Sequence, residues 1–153
     1  MKAVAQMASV AVCVMMVAWL SPAEERSAAA DLSYAELVSL GIINAYSTNV
    51  LVQQGFQGGS FSKADAEDAV RRNLAFVNVL DRYAQSLKRT TSTDDPGMKK
   101  WIEDMAGVAT YLKQQTLALE DWLKDSSSAS AKRLFVGYSD KVEARIETML
   151  KGK

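Results

Sequence analysis

Apolar residues recur every three or four positions along four long stretches of this sequence, and three short polar or glycine-rich segments interrupt them. That period keeps one face of an α-helix out of water, whereas a half-buried strand would alternate at period two. The first stretch predicts a helix from about Tyr34 to Gln53, with Ser33 as its cap and Glu36 three residues on completing a Ser-x-x-Glu box. Leu37, Leu40, Asn44, Thr48 and Leu51 trace its expected inward stripe, broadened by Val38, Ile42 and Ile43. GFQGGSFS at positions 55–62 ends the pattern, because its three glycines disfavour continuation and permit a turn with positive φ.

The second helix is expected from about Lys63 to Lys88, with Ser62 capping and Asp65 in its first turn. Its stripe is Ala66, Val70, Leu74, Val77, Leu80, Ala84 and Leu87, with Leu74 near the centre and Arg71 on the wetter flank. TTSTDDPG then breaks the pattern. Asp95 before Pro96 is a favourable start for the third helix, since Asp accepts a free amide hydrogen and Pro is pre-organised at the first helical position. Met98, Trp101, Ile102, Met105, Val108, Ala109, Leu112, Thr116, Leu119 and Leu123 carry that helix to about Lys124, with Trp122 at its shoulder. After DSSSAS at 125–130, a fourth helix begins between Ala129 and Lys132 and reaches Leu150, with Leu134, Tyr138, Val142, Ile146 and Met149 facing inward. Four amphipathic helices joined by short turns predict an all-α chain, an antiparallel up-down-up-down four-helix bundle over residues 24–153.

The segment before it has a different character. Lys2, an uncharged run from Met7 to Leu20, then Pro22, Glu24 and Glu25 follow the layout of an export signal. Ser21 and Ala23 place small residues for cleavage after residue 23, with a second choice after Ala30. Residues 1–23 are therefore expected to be a signal peptide and the mature protein to be periplasmic or extracellular. The alternative is a membrane anchor formed by residues 3–20, although Gln6 and Ser9 leave the strongly apolar part short of the roughly 20 residues that span a bilayer.

Composition excludes several chemistries. There is no His, so histidine-dependent triads, proton shuttles and zinc sites are absent. The single cysteine, Cys13, lies in the apolar run, which leaves residues 24–153 without a thiolate nucleophile, disulfide or cysteine metal cluster. Eighteen basic residues balance 18 acidic ones, and removing residues 1–23 takes away only Lys2, for a net charge of −1. Nothing in that balance points to nucleic acid. The adjacent pairs Glu67/Asp68, Glu103/Asp104 and Glu120/Asp121 diverge by about 100° on a helix, so adjacency alone builds no metal site or acid–base pair. Ser62 with Lys63, and Ser139 near Lys141, form no evident nucleophile–base constellation.

No catalytic, cofactor-binding or metal-binding residue is therefore expected. Two sets remain as candidates. Tyr46, Tyr111, Trp122 and Phe135 fill the helical core in the simpler reading, and would serve a protein partner if exposed as a patch. Asn44, placed on the inward stripe, would form an internal polar site with Asn73 and Thr116. The expected function is an exported, non-enzymatic helical interaction module, and the alternative is an extracytoplasmic carrier or sensor of a small molecule.

Overall fold

The computed structural model describes the backbone of residues 28–151 and the side chains of residues 37–148. The expected signal or anchor segment, both cleavage points and the side chains of Met149 and Leu150 lie outside these described side chains. The chain divides between Leu37 and Val38, and the packing below is that of the unit beginning at Val38.

Four helices and no strand are present among the described residues: α1 Ala28–Gln57, α2 Lys63–Thr90, α3 Pro96–Lys124 and α4 Ala129–Lys151. This is an all-helical architecture consistent with a four-helix bundle. Three of the expected boundaries follow from local chemistry. Ser62 accepts a hydrogen bond from the Asp65 amide at 3.2 Å and donates to its carboxylate at 2.7 Å, closing the start of α2. Asp95 accepts from the Gly97 amide at 2.8 Å, with Pro96 opening α3. At the α3–α4 turn, Asp125 accepts from the amide and hydroxyl of Ser127, while Ser128 accepts from the Ala131 amide.

The first helix differs from expectation at both ends. It already includes Ala28, so Ser33 lies within it and is not its cap. It also continues past Gln53 and through Gly55, ending in a Schellman turn. There the Ser60 amide reaches the Gly55 carbonyl at 2.8 Å, the Gly59 amide reaches Phe56 at 3.2 Å, and Gly59 takes φ 73°. The returning chain lies over Gly55, where a Cβ would run into the Phe61 ring, so the position takes glycine.

Two apolar clusters form the core. One gathers Val38, Ile42 and Ala45 of α1, Val77, Leu80 and Ala84 of α2, Met105, Val108, Ala109 and Leu112 of α3, and Val142 of α4. The other gathers Val52, Ala66, Val70, Leu119, Trp122, Leu123, Ala131 and Phe135. Helix α3 packs against α2 and α4; its expected stripe is buried from Ile102 to Leu123, and burial extends beyond it to Asp104, Ala106, Gln115, Ala118 and Trp122.

Several expected inward positions are corrected. On α1 the buried residues are Val38, Ile42, Ala45, Asn49 and Val52, so Leu40 and Leu51 face water at 62% and 60% exposure. The reason is close approach between helices. A Cβ at Gly41 would lie 2.9 Å from Leu80 Cδ2, so α1 sets Gly41 against α2 and turns Leu40 and Leu51 away. On α2 the centre of the stripe belongs to Asn73, which leaves Leu74 half-buried at its side. On α4 Phe135 takes the inward place and Leu134 is exposed.

Candidate functional site

Between the two apolar clusters lies a polar layer contributed by every helix. Asn73 donates to Asn49 Oδ1 at 2.7 Å and to the Ala45 carbonyl at 2.9 Å. Asn49 in turn donates to Gln115 Oε1 at 2.9 Å and to Thr116 Oγ1 at 2.8 Å. Gln115 passes the chain to Ser139 Oγ at 2.8 Å, and Ser139 and Thr116 donate to the carbonyls of Phe135 and Leu112. Asn49, Gln115 and Thr116 are fully buried. No buried side-chain nitrogen or oxygen among the described residues lacks a partner. Burying such groups is tolerable because they are mutually satisfied, which also gives the layer one geometry.

The layer contains Asn73 and Thr116 of the expected internal site, but Asn44 does not join them. Asn44 is exposed, and its backbone carbonyl accepts from Thr48 at 2.9 Å. The asparagine that fills the role is Asn49, at the spacing of Ile42, Ala45 and Val52. That register was readable only by preferring small and β-branched residues over leucines. Gln115 and Ser139, also missed, carry no signal beyond their spacing.

The four candidate aromatics are not assembled into an exposed patch. Trp122 and Phe135 are each 5% exposed, packed ring to ring at 6.0 Å inside the second apolar cluster. The Trp122 indole N–H donates to the Ser126 carbonyl at 3.3 Å, and the Lys132 ammonium lies 5.6 Å from its ring centroid. Tyr111, half-buried, packs near Tyr138 with the Lys141 ammonium 5.5 and 5.0 Å from the two ring centroids. Tyr46 donates a short hydrogen bond to Glu143 Oε1. Burial first, and then the Glu143 hydrogen bond and charge, push the Tyr46 phenol well above its ordinary 10.0. These rings fill the core or its margin because burying their large apolar area outweighs any gain from display.

Glu67/Asp68 and Glu120/Asp121 serve as ion-pair partners on the helix surfaces. Asp68 meets Arg72 at 2.7 Å, Glu67 meets Lys63 at 3.8 Å, and Lys124 meets Glu120 and Asp121 at 3.4 and 3.5 Å. Asp104 is the buried one. It takes Lys100 at 2.6 Å and a short contact from Arg145 of α4. The Lys100 hydrogen bond, with the Lys100 and Arg145 charges, holds its carboxyl below the ordinary 3.8 although burial acts the other way. No three His, Cys, Asp or Glu residues among those described stand together as a metal site. Of the serines once paired with lysines, Ser62 caps α2 and Ser139 belongs to the polar layer.

Ahead of Leu134 and Val136 on α4, the most exposed large apolar side chains among the described residues, Leu40 and Leu51, lie on the outward side of α1. Leu40, Asn44, Ser47 and Leu51 recur there at spacings of four, three and four, with Ile43 and Gln54 alongside, all exposed. No Asp, Glu, Lys or Arg occurs anywhere in residues 37–62. A helix with one face in a core and the other in water normally carries charges on the wet side. Here both sides are apolar or neutral. Comparison with protein-family models, curated proteins and solved structures finds no match to the chain. No helix among the described residues is long and apolar enough to cross a membrane.

Proposed function

We propose that this chain is an exported, non-enzymatic helical interaction module: an up-down-up-down four-helix bundle that uses the outward side of α1 to hold a protein partner. The observation that carries the reading is the exposure of Leu40 and Leu51 on the part of α1, from residue 37 onward, that carries no charge. Leucines placed opposite the core contribute nothing to it, whereas covering them with a partner removes apolar area from water. Export rests on the sequence of residues 1–23 and is tested by N-terminal sequencing of the secreted product, expected to begin at Glu24. An intact Met1 in the cytosol would contradict export, and an intact segment in membranes would select the anchor.

The order of the packing along each helix supports the alternating topology. Along α1 the chain meets the first apolar cluster, then Asn49, then Val52 of the second; α2 meets them in reverse, α3 in the order of α1, and α4 in reverse again. The carrier reading draws only on the buried polar layer. Its groups bond to one another, so a ligand would have to replace satisfied hydrogen bonds, and this reading ranks second.

The interaction reading is tested by capture from the native extract with wild type and with Leu40→Glu and Leu51→Lys, followed by mass identification. Loss of a partner with retention of helicity is the expected result. Capture indifferent to both substitutions would refute α1 as the working surface. A small molecule retained by the wild-type chain, and lost in an Asn49 variant, would favour the carrier.

A further inference from the structure

We infer that the partner of the outward α1 face is a second copy of this chain, bound helix to helix in antiparallel fashion about a two-fold axis between Ala45 and Tyr46. The inference rests on the interaction reading above and adds the identity of the partner. Two observations carry it, one electrostatic and one geometric.

The face is neutral from residue 37 to residue 62. A strongly charged partner would lose its hydration against this surface and receive no opposite charge in return. A lipid surface fits no better, since helices that lie on membranes carry Lys or Arg along their polar side and this segment has none. A second copy meets both conditions, because it brings an equally uncharged surface and no like-charge repulsion.

The register is self-complementary. A two-fold interface places residue i against j and j against i. Inverting α1 about the point between Ala45 and Tyr46 exchanges Leu40 with Leu51 and Asn44 with Ser47. Apolar residues then meet apolar ones at the two ends of the seam, about 16 Å apart at 1.5 Å per residue, and polar ones meet at its middle. Neither the Asn44 amide group nor the Ser47 hydroxyl has a hydrogen bond within the chain among the described residues, so both are free to bond across the axis. The spacing of four, three and four is the seam that two packed helices use. Three turns of one helix present less than the roughly 800 Å² per partner of a standard interface, so the dimer is weak and depends on concentration.

Sedimentation velocity on the full chain, over roughly 1 μM to 1 mM, tests this directly. Wild type is expected to shift from monomer to dimer. Leu40→Glu alone, or Leu51→Lys alone, sets a charge against a leucine of the partner and should weaken association about 10-fold or more. The double variant L40E/L51K sets the new carboxylate against the new ammonium twice across the axis, and association should return. Association driven by the apolar N-terminal segment would be indifferent to all three variants. Such indifference, or a double variant no better than the singles, overturns the antiparallel pairing. A wild type that stays monomeric throughout also overturns it. The interaction reading would survive that result only if capture of a different protein is lost in the single variants, and it fails if capture ignores them. Both positions are exposed, so circular dichroism should be unchanged and loss of fold would be seen as such.

Discussion

Helices α1 and α3 have nearly equal lengths, 30 and 29 residues, yet they meet their surroundings in opposite ways. Helix α3 hydrogen-bonds to all three others, through Gln115 and Thr116 to α1, Thr110 to α2 and Asp104 to α4. Its large side chains, including Met105, Leu112 and Leu119, are the buried ones. Helix α1 buries valine, isoleucine, alanine and asparagine and leaves Leu40 and Leu51 in water. Hydrophobicity alone decides which side turns inward only when the two sides of a helix differ in it. Where they do not, the closeness of the neighbouring helix and the hydrogen bonds it offers decide.

The largest effect expected from this contrast is between two leucines. Leu112→Ala removes a fully buried side chain of α3 and should cost about 3–5 kcal/mol in chemical denaturation. Leu51→Ala on α1 should stay within about 0.5 kcal/mol when measured on the monomer. Equal losses at the two sites would erase the distinction.

The polar layer gives the next largest effect. Asn49→Leu keeps the heavy-atom count and branching but withdraws a partner from Asn73, Gln115 and Thr116 together, and should cost about 2–4 kcal/mol given the penalty for unsatisfied buried groups. Asn44→Leu, five residues earlier on the wet side, should be nearly neutral. A reversal of these two results would restore Asn44 to the inward face.

These contrasts explain how much of the molecule was legible in the sequence. The ends of α2 and α3 were legible because Ser62, Asp95 and Pro96 act locally, and a cap needs no knowledge of the rest of the fold. The face of α3 was legible because its large apolar residues coincide with its contacts. For α1 the decisive quantity is the separation from Leu80 at Gly41, which belongs to the assembled structure and not to any window of sequence. The aromatics left two readings open for a related reason: Trp122 and Phe135 suit a core or a binding patch by composition, and their mutual packing decides for the core. Leu74 lost its central place to a polar neighbour that hydrogen bonding, and not hydropathy, draws inward.

Glycines sharpen the comparison at smaller amplitude. Gly41→Leu should overpack the α1–α2 contact and cost roughly 1–3 kcal/mol. Gly107→Ala in α3 meets no atom within 4 Å and should gain up to about 1 kcal/mol of helix propensity. Thermal or chemical denaturation of the pair would show whether close approach is confined to α1.

The smallest effect is electrostatic. The Asp104 carboxyl is depressed in the folded state, so its stabilisation is fully present well above the ordinary 3.8 and is lost as pH falls through the lower folded value. Asp104→Asn should cost about 1 kcal/mol at neutral pH, a modest figure because Lys100 and Arg145 remain in contact with water. The difference from wild type should shrink on acidification below pH 3.8, and a difference that grows there would give the shift the opposite sign.

The orientation of α1 is tested most directly by urea denaturation of the double variant L40E/L51E at low micromolar protein, which keeps association out of the measurement. With the leucines outward, stability should match wild type within about 0.5 kcal/mol per site. Were the leucine stripe inward, two buried carboxylates without partners would leave the domain unfolded or destabilised by several kcal/mol, and that result would contradict the account.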